Sequence, residues 1–276
     1  MDRVKLLRNL TARLDDKGIE ELRIISWACP VPFFGNLDAA RVATVGLNPS
    51  NREFVSADGV ELDCTDRRFP TLTSLGLDDW RSASASQLRK VDLACSQYFS
   101  GKPYDAWFRV LDKLIVGLNH SYYGMFAEAC HLDLCPYATS TKWGELPNQL
   151  KASLLDVSGD FLGDLIAGSQ LRVLILNGQT VIRTFEAISG TKLVPSKIDE
   201  WTLPRSGGRG VDGISYFGRI ARIGQRKLAQ EITVLGYSHN IQSSFGVTTQ
   251  VRESISSWIT TMAGLEYDLL SAIQPT

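Results

Sequence analysis

The sequence predicts an α/β fold, a three-layer α/β/α sandwich around a central, mostly parallel, four-stranded sheet. Four short apolar runs, at residues 41–47, 131–134, 171–176 and 231–236, each end in polar or turn residues, as buried strands do. Segments with helical spacing alternate with these runs. Strands that alternate with helices give right-handed crossovers and a parallel sheet that is covered on both faces.

The clearest predicted helix covers residues 103–118, where apolar side chains recur at 3.6-residue spacing behind a proline near the first turn. Further helices are predicted at residues 1–17, 147–167, 180–188 and 248–262. Residues 51–100 and 195–226 break the rhythm, and we expect long loops there. Because loops of such length are usually lids or binding loops, both stretches are candidates for function. We expect a single domain over residues 1–276.

Composition narrows the function classes. Hydrophobic residues make up 44% and charged residues 21% of the chain, which is typical of a globular protein. The 29 basic and 30 acidic residues leave a net charge of −1, so a surface that binds DNA has to be local. No apolar run is long enough to span a membrane, and residues 1–16 do not resemble a signal peptide. We therefore expect a cytoplasmic monomer.

Neither a metal nor another cofactor is expected. The five cysteines (Cys29, Cys64, Cys95, Cys130 and Cys135) form no C-x-x-C pair, so they are interpreted as reduced thiols. The phosphate-loop and dinucleotide-binding motifs are also missing from the sequence, which argues against a nucleotide-binding α/β enzyme.

Polar residues follow each predicted strand. In an open parallel sheet, ligands bind beyond the carboxyl ends of the strands, so these residues are expected to converge on one crevice. They are Asn48 and Ser50 after the first strand, Asp133 at the second, Asn177, Gly178 and Gln179 at the third, and His239 after the fourth.

These segments also carry a family resemblance. Val45-Gly46-Leu47-Asn48-Pro49-Ser50 resembles the first motif of the uracil-DNA glycosylase superfamily, particularly its mismatch-specific branch. Residues 131–136 resemble the second-strand segment ending in Cys-Pro of the single-strand-selective and thermophilic branches, and residues 173–178 resemble their third strand. Residues 238–244 stand where the superfamily has its His-Pro-Ser motif, although Asn240 replaces the proline. The resemblance spans roughly residues 41–260.

The resemblance implies a monofunctional DNA glycosylase, a hydrolase that flips a non-standard base out of DNA and leaves an abasic site. Asn48 would orient a water against the anomeric carbon, and a neutral His239 would donate a hydrogen bond to the base oxygen. No lysine stands at a motif position that suggests Schiff-base chemistry. The cysteine spacing does not match the iron–sulfur branch of the superfamily.

The resemblance also suggests which residues bind the base. Phe69, or else Phe54, would stack on it, with Leu47 and Asn177 beside it. Asp133 stands where the uracil-specific branches have an asparagine. Because an ionised carboxylate only accepts hydrogen bonds, it favours the N4 amino group of cytosine over the O4 atom of uracil. We therefore expect a modified cytosine of phage DNA, hydroxymethylated or glucosylated, and a role in antiviral defence.

DNA-backbone contacts are expected at strand–helix turns and at local cations. The turn residues are Ser50, Gly178, Gln179, Ser243 and Ser244. The cations form a predicted basic strip of Arg205, Arg209, Arg219, Arg222, Arg226 and Lys227, which a solvated loop would also explain.

Structural explanations remain open for the individual residues. Asn48 and Asn177 are also typical of turns, His239 and Asp133 of local hydrogen bonding, and Phe54 and Phe69 of a core. Two other functions remain open as well. One is a uracil-DNA glycosylase in base-excision repair, and the other is a catalytically silent DNA- or protein-binding relative.

Overall fold

A computed structural model describes residues 1–124, 127–205, 208–242 and 246–273, apart from the side chains of Arg209 and of residues 265–273. Its architecture is mixed α/β, with a mostly parallel six-stranded sheet and a separate two-stranded ribbon. The strands are β1 (Val42–Gly46), β2 (Ala129–Asp133), β3 (Val173–Asn177), β4 (Val194–Lys197), β5 (Leu203–Arg205), β6 (Gly208–Val211), β7 (Ile214–Ile223) and β8 (Arg226–Tyr237).

The six strands lie in the order β2-β1-β3-β8-β7-β4, and the ribbon consists of β5 and β6. The first four strands are parallel, and they are the four that the apolar runs predicted. The prediction of four strands in the sheet is wrong, because β7 pairs antiparallel with β8 and β4 pairs antiparallel with β7, which brings the sheet to six strands. The pattern of β7 is hard to recognise, because its buried residues are three to five positions apart instead of alternating.

Every residue of β1, β2 and β3 is buried. Because successive side chains of a strand point to opposite faces, this burial means that both faces of the sheet are covered here. The structure is therefore compatible with the predicted layered arrangement. The helices are α1 (Arg3–Leu14), α2 (Leu72–Leu75), α3 (Ala85–Ser96), α4 (Asp105–Ile115), α5 (Asn148–Ser158), α6 (Phe161–Ala167), α7 (Gln179–Ser189) and α8 (Thr249–Ile273).

The two predicted long loops contain regular structure. Residues 51–100 include α3, which begins with a capping box between Ser84 and Gln87, and residues 195–226 include the ribbon and β7. The helix predicted at residues 147–167 is two helices, because Gly159 between them has a φ of +61° that ends α5. Among the described helices, none has the length and apolar character to cross a bilayer.

Candidate active site at the strand ends

Asn48 lies two residues beyond the end of β1, half-buried, with its side-chain amide held in one orientation. Its Nδ2 atom donates to the carbonyl of Tyr137 at 3.2 Å and to Oγ1 of Thr139 at 3.0 Å. A carbonyl only accepts hydrogen bonds, and the Thr139 hydroxyl already donates to the carbonyl of Thr141 at 2.7 Å. Both neighbours therefore require the NH₂ group, which leaves Oδ1 as the atom of the amide that accepts.

Asp133 ends β2 beside His131, and the two side chains meet over a glycine. Asp133 pairs in register with Gly46 of β1, and its Oδ1 lies 3.3 Å from Nε2 of His131. A Cβ atom at Gly46 would lie 2.4 Å from Oδ1 of Asp133 and 3.0 Å from Nε2 of His131. The buried carboxylate and imidazole can therefore meet at this place only because residue 46 has no side chain.

The contact between His131 and Asp133 belongs to a longer chain of buried hydrogen bonds. Nδ1 of His131 lies 2.7 Å from Oγ1 of Thr44, and the Thr44 hydroxyl is hydrogen-bonded to that of Tyr122. We call Tyr122, Thr44, His131 and Asp133 the buried relay. Of these four residues, Asp133 alone was predicted from the sequence, because Thr44 reaches His131 only through the pairing of β1 with β2.

Glu53 is a second buried carboxyl group that the sequence analysis missed. It follows Ser50, whose side chain accepts from the backbone N–H of Arg52 at the start of a short 3-10 helix. The hydroxyl of Tyr98 lies 2.8 Å from both carboxyl oxygens of Glu53, and Nε of Arg68 lies 3.8 Å from Oε2. The signal in the sequence was the position of Glu53, an acidic residue three positions after the Asn48-Pro49-Ser50 segment.

Burial raises the pKa of Glu53 to about 7. The hydrogen bond from Tyr98 and the charge of Arg68 act in the opposite direction, while the negative charge of Asp133 raises the pKa further. The carboxyl groups of Glu53 and Asp133 therefore interact electrostatically. With a pKa of about 7, Glu53 is partly protonated and partly ionised near neutral pH.

Phe54 and Phe69 lie in a cluster of aromatic rings. Phe69 stacks on Tyr98 with ring centres 5.2 Å apart, and Phe54 lies 5.7 Å from Phe69. The side chains of Phe54 and Phe69 are 2% and 1% exposed, so in this structure they form part of the core. Leu47 is half-buried, and its carbonyl accepts from the backbone N–H of Cys135.

His239 is buried, and Nε2 of its ring lies 2.7 Å from the carbonyl oxygen of Trp201. Because that oxygen only accepts, Nε2 carries a proton. In this conformation a neutral His239 offers Nδ1 as an acceptor, which differs from the expected role as a donor to the base oxygen. Trp201 is itself fixed, since its Nε1 donates to Oγ of Ser254 at 3.0 Å.

The third strand end is held by internal hydrogen bonds. Asn177 donates from Nδ2 to Oε1 of Gln242, and its Oδ1 accepts from the backbone N–H of Ile241 at 3.4 Å. The N–H groups of Gly178 and Gln179 donate to carbonyls of residues 237 and 238 at 3.0 Å. These two N–H groups are therefore engaged within the protein in this conformation, and their binding to phosphate stays a prediction. Ser50 is exposed, whereas Ser243 and Ser244 lie outside the described residues.

The predicted basic strip is spread over the ribbon, over β7, which carries Arg219 and Arg222, and over the start of β8. Arg205 is exposed at the end of β5, and Arg209 lies in the adjoining strand β6. Arg226 and Lys227 begin β8 and Tyr237 ends it, so at about 3.4 Å per residue they lie about 35 Å from the strand end that precedes His239. Arg226 is also paired with Asp164. Of these cations, Arg205 and Arg209 are the ones nearest in the chain to Trp201 and its contact with His239.

In the described part of the chain, no group of three or more histidine, cysteine, aspartate or glutamate residues has an arrangement that fits a metal ion. All five cysteines are free thiols. Four of them are buried, and burial raises the pKa of Cys29, Cys95, Cys130 and Cys135. These four thiols are therefore protonated at neutral pH and behave as small core residues.

Protein-family models and curated proteins contain no significant match to this chain.

Substitution of Gly46 tests the close approach of Asp133 and His131. We expect Gly46→Ala to lower the free energy of unfolding by about 1–3 kcal/mol, as overpacking of a core does, because the new methyl group displaces both side chains. The measurement is the urea midpoint. Gly264→Ala is the control, because a Cβ there meets nothing within 4 Å and alanine favours a helix. Equal midpoints for wild type and Gly46→Ala would contradict the geometry.

Substitution of Glu53 tests its buried, protonatable state. Because folding raises the pKa of Glu53 from 4.5 to about 7, its contribution to stability is full below pH 4.5 and is lost as the pH rises through 7. The shift corresponds to at most about 3 kcal/mol. We expect Glu53→Gln to remove this loss between pH 5 and 8 in urea unfolding, whereas Glu20→Gln, at an exposed position, leaves it unchanged. An identical pH profile in wild type and Glu53→Gln would rule out the assignment.

Proposed function

We propose that this protein is a monofunctional DNA glycosylase of uracil-DNA-glycosylase-like fold that removes a modified cytosine from DNA. The observation that carries the proposal is the fixed amide of Asn48 at the end of β1, one strand away from the buried carboxylate of Asp133. The four parallel strands also carry the motif residues in the order that the resemblance implies.

Hydrolysis of an N-glycosidic bond produces a sugar with oxocarbenium character and a departing base. An asparagine cannot take up a proton as a carboxylate does, but its oxygen can hold a water in line with the anomeric carbon. In Asn48 the contacts with Tyr137 and Thr139 use the NH₂ group, so Oδ1 is available for this water. The water loses its proton to solvent as its oxygen bonds to the sugar.

Asp133 supplies the proposed base selection. An ionised carboxylate accepts a hydrogen bond from the N4 amino group of cytosine and repels the O4 atom of uracil. Removal of unmodified cytosine would damage the host genome, so the proposed substrate carries a 5-substituent, as hydroxymethylated and glucosylated phage bases do. This requirement supports a role in antiviral defence over uracil repair.

His239 has a positioning role in this proposal. Its hydrogen bond to the carbonyl of Trp201 ties the turn after β8 to the segment that leads into the ribbon of β5 and β6. Arg205 is exposed on that ribbon, where it can meet a DNA phosphate, and position 209 lies in the other strand of the ribbon. The proposed contribution of His239 is therefore to hold a DNA-binding element against the site.

The packing of Phe54 and Phe69 favours a second candidate, a catalytically silent relative that binds DNA. Both rings are enclosed by aromatic neighbours, so neither Phe54 nor Phe69 offers a flipped base a free ring face in this conformation. Such a relative would bind DNA and release no base.

An assay of base release distinguishes the glycosylase from the catalytically silent relative. Purified protein is incubated with DNA that contains uracil, hypoxanthine, 5-hydroxymethylcytosine or its glucosylated form, and free bases are identified by mass spectrometry. We expect release of a modified cytosine, and at least a tenfold lower rate in Asn48→Ala because the water is no longer oriented. Asn148→Ala, at an exposed position on α5, is the matched control. Binding without release of any base would establish the silent relative instead.

A further inference from the structure

We propose that Tyr122, Thr44 and His131 are positioning residues that hold Asp133 as an ionised hydrogen-bond acceptor and thereby select a base with an amino group. This inference rests on the proposed function, because it deepens the role of Asp133 in the same site. None of these three residues touches the reacting atoms in this proposal, and each has a defined direction of hydrogen bonding.

The direction of the relay follows from its inner end. Tyr122 is buried, and its hydroxyl is hydrogen-bonded to the hydroxyl of Thr44. Burial raises the pKa of Tyr122, so the phenol keeps its proton. A buried hydroxyl has to donate that proton, and Thr44 is the acceptor present.

The remaining protons follow in order. Thr44 has one hydroxyl proton, and because it accepts from Tyr122 it can donate to Nδ1 of His131 at 2.7 Å. A neutral His131 with Nδ1 as an acceptor carries its own proton on Nε2. That proton points to Oδ1 of Asp133 at 3.3 Å, so the relay ends on an oxygen that accepts.

The reverse direction fits worse at both ends. If Nδ1 of His131 donated to Thr44 and Thr44 to Tyr122, the Tyr122 proton would have no acceptor among the residues that the structure describes. At the other end, an unprotonated Nε2 would face Oδ1 of Asp133 with a lone pair. This arrangement is tolerable only if Asp133 itself carries a proton.

The two directions have opposite consequences for base selection. In the favoured direction Asp133 is ionised, His131 occupies Oδ1, and Oδ2 remains to accept from an amino group. In the reverse direction a protonated Asp133 would be a donor, which suits the O4 atom of uracil. We also expect the relay to be rigid, because three of its members lie on paired strands. Thr44 of β1 pairs in register with His131 of β2, and Gly46 pairs with Asp133.

Thr44→Val tests the relay, with Thr44→Ser as the matched control. Valine has nearly the shape of threonine, so the fully buried site is expected to fold, but it cannot donate to His131. The first readout is the ¹⁵N NMR signature of His131, which requires no activity. We expect an Nε2–H tautomer in wild type and Thr44→Ser, and loss of this single tautomer in Thr44→Val. An Nδ1–H tautomer in the wild type overturns the proposal.

The second readout is the ratio of base release from oligonucleotides that contain glucosylated 5-hydroxymethylcytosine or uracil. We expect Thr44→Val to lower this ratio at least tenfold, and Thr44→Ser to stay within about twofold of wild type. An unchanged ratio in Thr44→Val overturns the selective role of the relay. If wild type releases neither base, the proposed function fails, while the His131 tautomer still decides whether the relay holds Asp133 as an acceptor.

Discussion

The parallel pairing of β1 with β2 is the constraint on which the candidate site depends. Its register places Thr44 beside His131 and Gly46 beside Asp133, and the missing side chain of Gly46 lets a carboxylate and an imidazole meet in the core. Asn48 then follows β1 by two residues and is held by the segment that follows β2. One pair of strands therefore fixes the proposed water-binding amide, the proposed base-reading carboxylate and the residues behind them.

The sequence predicted the parallel part of the fold because strands buried on both faces are continuous apolar runs. It did not predict β4 and β7, since all four residues of β4 are exposed and β7 is interrupted by Gly218, Arg219 and Arg222. β7 is stabilised by pairing with the long strand β8, and β4 by pairing with β7, and a local sequence pattern does not reveal either pairing. The helix α3 was not predicted because polar residues are interspersed along it, and only Leu88, Val91 and Cys95 are buried.

The candidate site was predictable as residue types and only partly as contacts. Asn48 follows a buried strand and Asp133 ends one, and parallel strands place such residues at one edge of the sheet, where ligands bind. The partners of His239, Asn177 and Gly178 come from segments distant in the chain, so their hydrogen bonds were not predictable. Glu53 and His131 were missed for the same physical reason, because their significance depends on burial beside Tyr98 and Asp133.

The central claim is that a buried carboxylate selects an amino-bearing base for removal from DNA. Asp133→Asn changes that group from an acceptor to a side chain that also donates, with almost no change in shape. The measurement is mass spectrometry of the bases that wild type and Asp133→Asn release from modified-cytosine and uracil DNA. The predicted result is release of the modified cytosine by wild type, and its decrease with a gain of uracil release in the variant. Efficient release of uracil by wild type, with every modified cytosine left in place, would contradict the claim.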